Sequence, residues 1–541
     1  MATVVNFHGK NYIEPGSYAV STYNPTSVQN VSAFGNVMII DTGLATNGSY
    51  EFAGGSGIHG ELNQGLKSVY NFTNYEDFLA FMGGGLVGDI AEKLFTPLPL
   101  SGAAGTPKLF YCRAATTTCA TITLEMSTGI NLTLKCKNEG ITGNGQAVDG
   151  VLKVGYAARI IAGVEDSSKF IMEVYKGSYM GTDPAGESYG PKSLADSTPN
   201  LLAESPELST LQELYDWASS NRYMLANFVV TMNGLGTTAL KVIAQTLATG
   251  GTTTWMKDTE YADALEAISE LDITFFLCTN TTVAGGTDAA TNVKLFTYLK
   301  NDAKFSEFMF VPGGSDETDL MGDSNTSQAI AKYFNSGQVV TVHGAPVVTR
   351  KDGNGTKTLS PIYLTAAIIG LNAGMAAQTP LTFKRIGYDS FVYDLKKKER
   401  IAALQAGIMH VRNVNGSWCV NQGITTLQDN KKTIADDGQS FELSVELIKA
   451  QLNKELIIEG EQRFTGQTAA QATPQSVKNF TETKLQSLVA EVGNDNLLIT
   501  WQNVKVSAKN SDYFITYDFV PNVPVNKTFF TGNILDLQIT V

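Results

Sequence analysis

Residues 258–280 read DTEYADALEAISELDITFFLCTN, and this stretch decides the fold class. Its first half opens with acidic residues and then repeats apolar ones at helical spacing, as an amphipathic helix does. Its second half, DITFFLCTN, is a continuous apolar run of the kind found in a strand buried on both faces. The alternation recurs on either side. Upstream, a helix from Ser209 (TLQELYDWASSN, with a capping signal near its start) precedes the strand ANFVVTMN at 226–233. Downstream, a helix at 292–302 precedes EFMFVPGG, and a helix at 327–335 precedes a strand at 338–342. With NVMIID at 36–41 and LFYCRA at 109–114 as further buried strands, the pattern predicts a largely parallel α/β sheet covered on both faces.

Working outward, the period changes from 3.6 to 2 between residues 120 and 177. ATITLEM, INLTLKCK, GVLKVGYAARI and KFIMEVYKG read as successive strands separated by Gly and Asn turns, which predicts an inserted all-β module. A Gly/Pro/Ser-rich connection, 177–206, leads out of it. Beyond the sheet, SPIYLTAAIIGLNAGM (360–375) is a small-residue helix suited to close packing. From about residue 382 the pattern is α+β. It has a helix at 398–406, strands at 408–414 and 417–420, and helices at 441–459 and 474–492. The strands LLITWQNVKVS and DYFITYDFVP follow. Both ends of the chain are β-type: TVVNF at 3–7 and ILDLQITV at 534–541.

The expected architecture is therefore mixed α/β and α+β, in several domains. A central α/β sheet domain (21–118 and 200–360) carries an inserted all-β domain (119–199). A C-terminal α+β domain (361–531) follows, with extended arms at 1–20 and 532–541.

Composition narrows the function. Charged residues make up 17% of the 541, below the usual ~25%, which suits a surface covered largely by protein neighbours. Thirty-nine basic against 52 acidic residues give −13, a poor balance for wrapping nucleic acid. No apolar run is long enough to span a membrane and no signal peptide is visible, so the expectation is a soluble intracellular chain. Five cysteines without CxxC spacing read as reduced thiols.

Chemistry-bearing motifs are weak. GSGIHG (55–60) and GGGLVG (83–88) match GxGxxG, but the first lies in a polar loop and the second follows a helix, where a dinucleotide site needs a preceding strand. There is no Walker A string and no HExxH. His8, His59, His343 and His410 are dispersed and read as solvated or core-edge residues. The expectation is no catalytic residue, no cofactor and no metal. The one conspicuous basic cluster is Lys396-Lys397-Lys398-Glu399-Arg400, either a solvated helix start or an electrostatic latch.

Several segments in fixed order resemble the tail sheath family of contractile phages and related injection machines. They are Pro15-Gly16-Ser17-Tyr18, GLKSVYNFTNYEDFLAFM (65–82), GITGNG (140–145) and Tyr261–Thr279. After these come Pro361 with Ala366–Gly370, Gly374–Pro380, Leu404–Ile408 and Val411–Leu427. Trp418-Cys419-Val420 stands where Val-Trp-Gly is more usual in that family.

The resemblance implies a subunit that polymerises around an inner tail tube and contracts by rigid-body rearrangement, with baseplate and tail terminator proteins as further partners. It would be assembled in the host bacterial cytoplasm and reside in the virion tail. It also implies strand donation to neighbouring copies by Thr3, Val4, Val5, Asn6 and Phe7, and by Ile534, Leu535, Leu537, Ile539 and Val541. In this reading the C-terminal domain with the arms forms an inner mesh, and Lys396, Lys397, Lys398 and Arg400 meet the tube. Another self-assembling virion component, such as a baseplate or capsid protein, and an α/β enzyme with an inserted β domain are the alternatives.

Overall fold

The computed structural model describes residues 5–7, 10–12, 28–29, 34–41, 69–82, 85–98, 104–113, 115–138, 140–179, 195–255, 271–279, 309–312, 320–321, 326–349, 355–428, 440–489, 496–509 and 512–523. The helices expected at 258–270 and 292–302, the string 55–60, His8, His59 and the closing segment 534–541 lie outside them.

Four of the expected buried runs pair in one sheet, but the strand expected there at 338–342 does not join it: Val342–His343 pairs instead with Met409 and His410. The central sheet has the order Met309–Pro312, Phe275–Cys278, Val37–Asp41, Leu109–Arg113, Tyr70–Phe72. The first four strands are parallel and the last is antiparallel. Every residue of Val37–Asp41 is buried, which is why this strand lacks the apolar/polar alternation of a one-sided sheet. At the carboxyl end of the sheet the buried Asp41 carboxylate accepts from Arg113 Nε (3.1 Å), Tyr111 Oη (3.0 Å) and Thr279 Oγ1 (3.3 Å), so three strands are tied at one point.

The helix Pro361–Ala373 is buried along all its residues, as its small-residue composition predicts. It lies so close to the helix Gly85–Phe95 that a Cβ on Gly370 would stand 2.5 Å from the Lys93 carbonyl oxygen. That second helix was not expected. In sequence the glycines from Gly83 end the preceding helical pattern, but burial of Leu86, Val87, Ile90, Ala91 and Leu94 outweighs the weak propensity of Gly85 and Gly88. One continuous buried cluster joins the sheet (Val37, Leu109, Phe275) to the C-terminal elements (Met409, Leu447, Leu497, Phe519).

A second core belongs to the β module and runs from Ala120 to Ala248. Its sheets are Phe228–Asn233, Ile130–Cys136, Thr121–Ser127 and Asn200–Glu204, Phe170–Lys176, Tyr156–Ala162, Ile243–Leu247, in those orders. A Thr121–Thr249 bridge joins the two sheets, and the helices Leu211–Ser220 and Arg222–Asn227 pack against the strands at the other side. The strand at 226–233 is thus a correction: it was expected in the α/β sheet, but it pairs along its length with Ile130–Cys136. Buried Phe228 and half-buried Val230 and Met232 alternate with exposed Val229, Thr231 and Asn233, the mark of a one-sided sheet. The connection 177–206 likewise contains the strand Asn200–Glu204, so the expected module boundary at 199 falls immediately before that strand. GVLKVGYAARI is two strands, broken at Gly155. There φ is +65 and a Cβ would collide with the Asn144 carbonyl.

The helix start lies one residue later than expected. Thr210, not Ser209, caps it: Thr210 Oγ1 accepts from the Glu213 amide, and Glu213 accepts from the Thr210 amide. The module joins the rest of the chain through a two-stranded neck, Ala115–Thr118 with Thr252–Trp255. In it Thr116, Thr117 and Thr118 face Thr254, Thr253 and Thr252.

Candidate functional site

Three features stand out on the described surface. The first is the hairpin Leu498–Lys509/Asp512–Pro521, whose alternating aromatic and β-branched residues favour long strands. Its base is anchored by buried Leu498, Val504, Phe519 and Val520, and Trp501 Nε1 donates to Gln486 Oε1 (3.2 Å) on the helix Pro474–Ser487. Val28–Gln29 pairs with only Leu498 and Ile499. From Thr500 onward that edge carries no other strand among the described residues, and neither does the outer edge of Asp512–Pro521. Long open edges invite another strand, and proteins ordinarily blunt them unless pairing is their purpose.

The helices beneath the hairpin are clamped. Lys484 lies 2.6 Å from Glu455 Oε2 and 2.6 Å from Glu459 Oε1, both on the helix Leu443–Phe464. Burial alone would lower the Lys484 pKa, but the two carboxylates outweigh it and hold the ammonium above the ordinary lysine value.

The second feature is the amino-terminal ribbon. Val5, Asn6 and Phe7 pair antiparallel with Tyr12, Asn11 and Lys10, and this two-stranded ribbon joins no other described sheet. Thr3 and Val4 lie outside the described residues, as do Ile534, Leu535, Leu537, Ile539 and Val541.

The third is the basic cluster at the start of the helix Lys397–Gln405. Lys396, Lys397 and Lys398 are exposed, the Lys396 amide donates to Glu399 Oε2 (2.6 Å), and Arg400 donates back to the Leu395 carbonyl. Cations at a helix amino terminus oppose the helix dipole, so local stability does not explain this placement.

The two described histidines differ from expectation. His343 and His410 are buried side by side on parallel strands, not core-edge or solvated. His343 Nδ1 pairs with Ser327 Oγ (2.8 Å), and His410 Nε2 pairs with Asn421 Nδ2 (3.1 Å). The signal was present in the sequence: VVTVH is itself an apolar strand run. The glycines of 83–88 that are described sit in the helix Gly85–Phe95, preceded by the helix Tyr75–Met82 where a dinucleotide loop would follow a strand. Among the described residues no three His, Cys, Asp or Glu groups gather as metal ligands, and all five cysteines are buried.

No protein-family model matches the chain. Its sequence is similar to the tail sheath protein of Bacillus phage SP01, at 24% identity over 589 aligned positions, covering 96% of this chain and 95% of that protein. Its fold is that of the sheath tail protein of Desulfitobacterium hafniense, with a TM-score of 0.57 and 15% identity, covering 94% of this chain and 97% of that one. The sheath tail protein of Listeria innocua aligns over 91% of this chain and 96% of its own, with a TM-score of 0.49 and 14% identity.

Proposed function

We propose, for a chain that resembles tail sheath proteins from end to end, that it is a structural subunit of a contractile tail sheath. The observation that carries this reading is the near-complete coverage on both sides of the match, which leaves little of either chain for another role. Subunits would polymerise around an inner tail tube, in rings or helical strands, in an extended metastable state. A trigger from the baseplate would let each subunit rotate outward as a rigid body, and the interface buried in that step would drive contraction. No nucleotide is needed, because a change of state requires only a difference in contact free energy.

The open-edged hairpin supports strand exchange as the link between subunits. In this proposal, Thr3–Phe7 and Ile534–Val541 of neighbouring copies add to the edges of Leu498–Lys509 and Asp512–Pro521. About five backbone hydrogen bonds at ~0.5–1.5 kcal/mol each give a few kcal/mol. Ordering an arm costs about 1–2 kcal/mol per residue, so one joint is marginal and the lattice makes it permanent. Lys396, Lys397, Lys398 and Arg400 are proposed to meet the inner tube, tuning register and salt dependence more than raw affinity. Within the mesh so formed, the elements from 361 to 531 lie innermost and the β module outermost.

Negative-stain microscopy of the expressed chain tests the reading. Hollow tubes or stacked rings of uniform width are expected; icosahedral shells, or monomers at every concentration, would overturn it. Deleting residues 1–9 should leave a folded monomer that no longer polymerises. Polymers of normal width from that deletion would refute strand donation by the amino-terminal arm.

A further inference from the structure

Phe383 is half exposed, yet its φ is +61, a left-handed conformation in which a bulky side chain is strained. The backbone around it leaves little freedom. The Phe383 amide donates to the Val420 carbonyl (2.8 Å), the Val420 amide to the Lys384 carbonyl (2.9 Å) and the Ile386 amide to the Trp418 carbonyl (3.0 Å). Residues 383–386 therefore run as an extra edge beside the strand Ser417–Val420. Cys419 pairs with Arg412 on one side and bridges to Arg385 on the other, so Arg412, Cys419 and Arg385 form a row on one face.

The Arg412 guanidinium stands 4.3 Å from the centre of the Phe383 ring, and its Nε is buried without a hydrogen-bond partner. The stretch of sequence that carries both residues is basic. Between 383 and 412 lie seven basic residues (Lys384, Arg385, Lys396, Lys397, Lys398, Arg400, Arg412) against three acidic ones. Among the described residues none of the seven forms an ion pair. The rest of the chain then holds 32 basic and 49 acidic residues, a balance of −17 against +4 here.

Strain in the backbone of an exposed aromatic ring and a buried, unsatisfied guanidinium nitrogen behind it are two local costs at one place. A fold retains such costs where a partner relieves them.

We propose that Phe383, Arg412 and Arg385 form a docking face for a carboxylate-bearing surface of a second copy of this chain. Phe383 supplies the apolar anchor, and the exposed Arg385 with the terminal nitrogens of Arg412 supplies the charge that the carboxylates meet. The acidic remainder of the chain supplies the charge complementarity that selects a second copy as the occupant. The proposal rests on the self-assembly reading above, and it places a side-chain contact between copies apart from the exchanged strands.

The test uses the full chain. Phe383→Gly should keep or raise the melting temperature of the monomer, because glycine suits φ +61, while raising the concentration needed for polymer formation at least tenfold. Arg412→Gln, which removes the charge without adding one, should raise it similarly and decides the matter if the glycine variant fails to fold. A photoreactive phenylalanine analogue at 383 should cross-link copy to copy. Wild-type polymers accompanied by variants that assemble at the wild-type concentration, or by cross-links to another protein alone, would overturn the docking face and leave the sheath reading standing. A wild-type chain that never polymerises would overturn both.

Discussion

His343 and His410 make stability depend on acid. Burial pushes both down to about 4. For His410 the Ile408 carbonyl on Nδ1 opposes that shift, while His343, Arg400 and Arg412 add to it. The folded pKa values lie below the unfolded ones, so the stabilisation is whole above pH ~6.5 and is lost as pH falls toward about 4. Each ring contributes on the order of 3 kcal/mol over that window. The monomer's melting temperature should therefore fall between pH 6.5 and 4, with protons taken up on unfolding. His410→Gln should flatten that slope, and an unchanged slope would mean that His410 does not titrate in this way. Another residue-scale outcome concerns Lys484→Met, which strands Glu455 and Glu459 on the half-buried face between two helices. A loss of about 1–3 kcal/mol by urea denaturation is expected, less than for a fully buried pair because Glu459 remains partly exposed. Sequence reading found neither feature, since partners 25 and 67 positions away are invisible to local pattern.

Among elements, the helix Pro361–Ala373 depends on its glycine. Gly370→Ala would press a methyl group against the Lys93 carbonyl from 2.5 Å and force the two helices apart. A cost of about 1–3 kcal/mol is expected, read as a lower urea midpoint at unchanged slope. This helix was legible in advance because small residues without interruption admit few other interpretations. The buried strands Val37–Asp41, Leu109–Arg113 and Phe275–Cys278 were legible for the same reason: continuous apolar runs of that length fit a two-sided sheet. The strand at 228–233 was found as a strand but placed in the wrong sheet, because period says how a strand is exposed and not which strand it pairs with. The helix Gly85–Phe95 was lost because glycine is read as a breaker, whereas close helix packing is another reason to use it. The long hairpin was visible as two strands, but which of its edges stay open among the described residues depends on strands far away in sequence.

At the scale of the molecule the described residues form two separate principal cores. One runs from Val37 to Phe519 and unites the parallel sheet with the C-terminal elements. The other stays within 120–248. Residues 115–255 expressed alone should therefore fold as a cooperative unit, and the full chain should melt in two calorimetric steps, one matching the isolated piece. A single step with an unfolded fragment would show that the module borrows its stability from the larger core. Low overall charge raised the expectation of a surface shared with neighbours, and composition alone assigns no place for it. The threonine neck has one more consequence. Strand Ala115–Thr118 leaves the large core and strand Thr252–Trp255 returns beside it, with Thr118 Oγ1 and Thr252 Oγ1 2.7 Å apart. The neck is thus a socket. A foreign domain whose two ends lie a strand's width apart would enter and leave there without lengthening the path of the host chain.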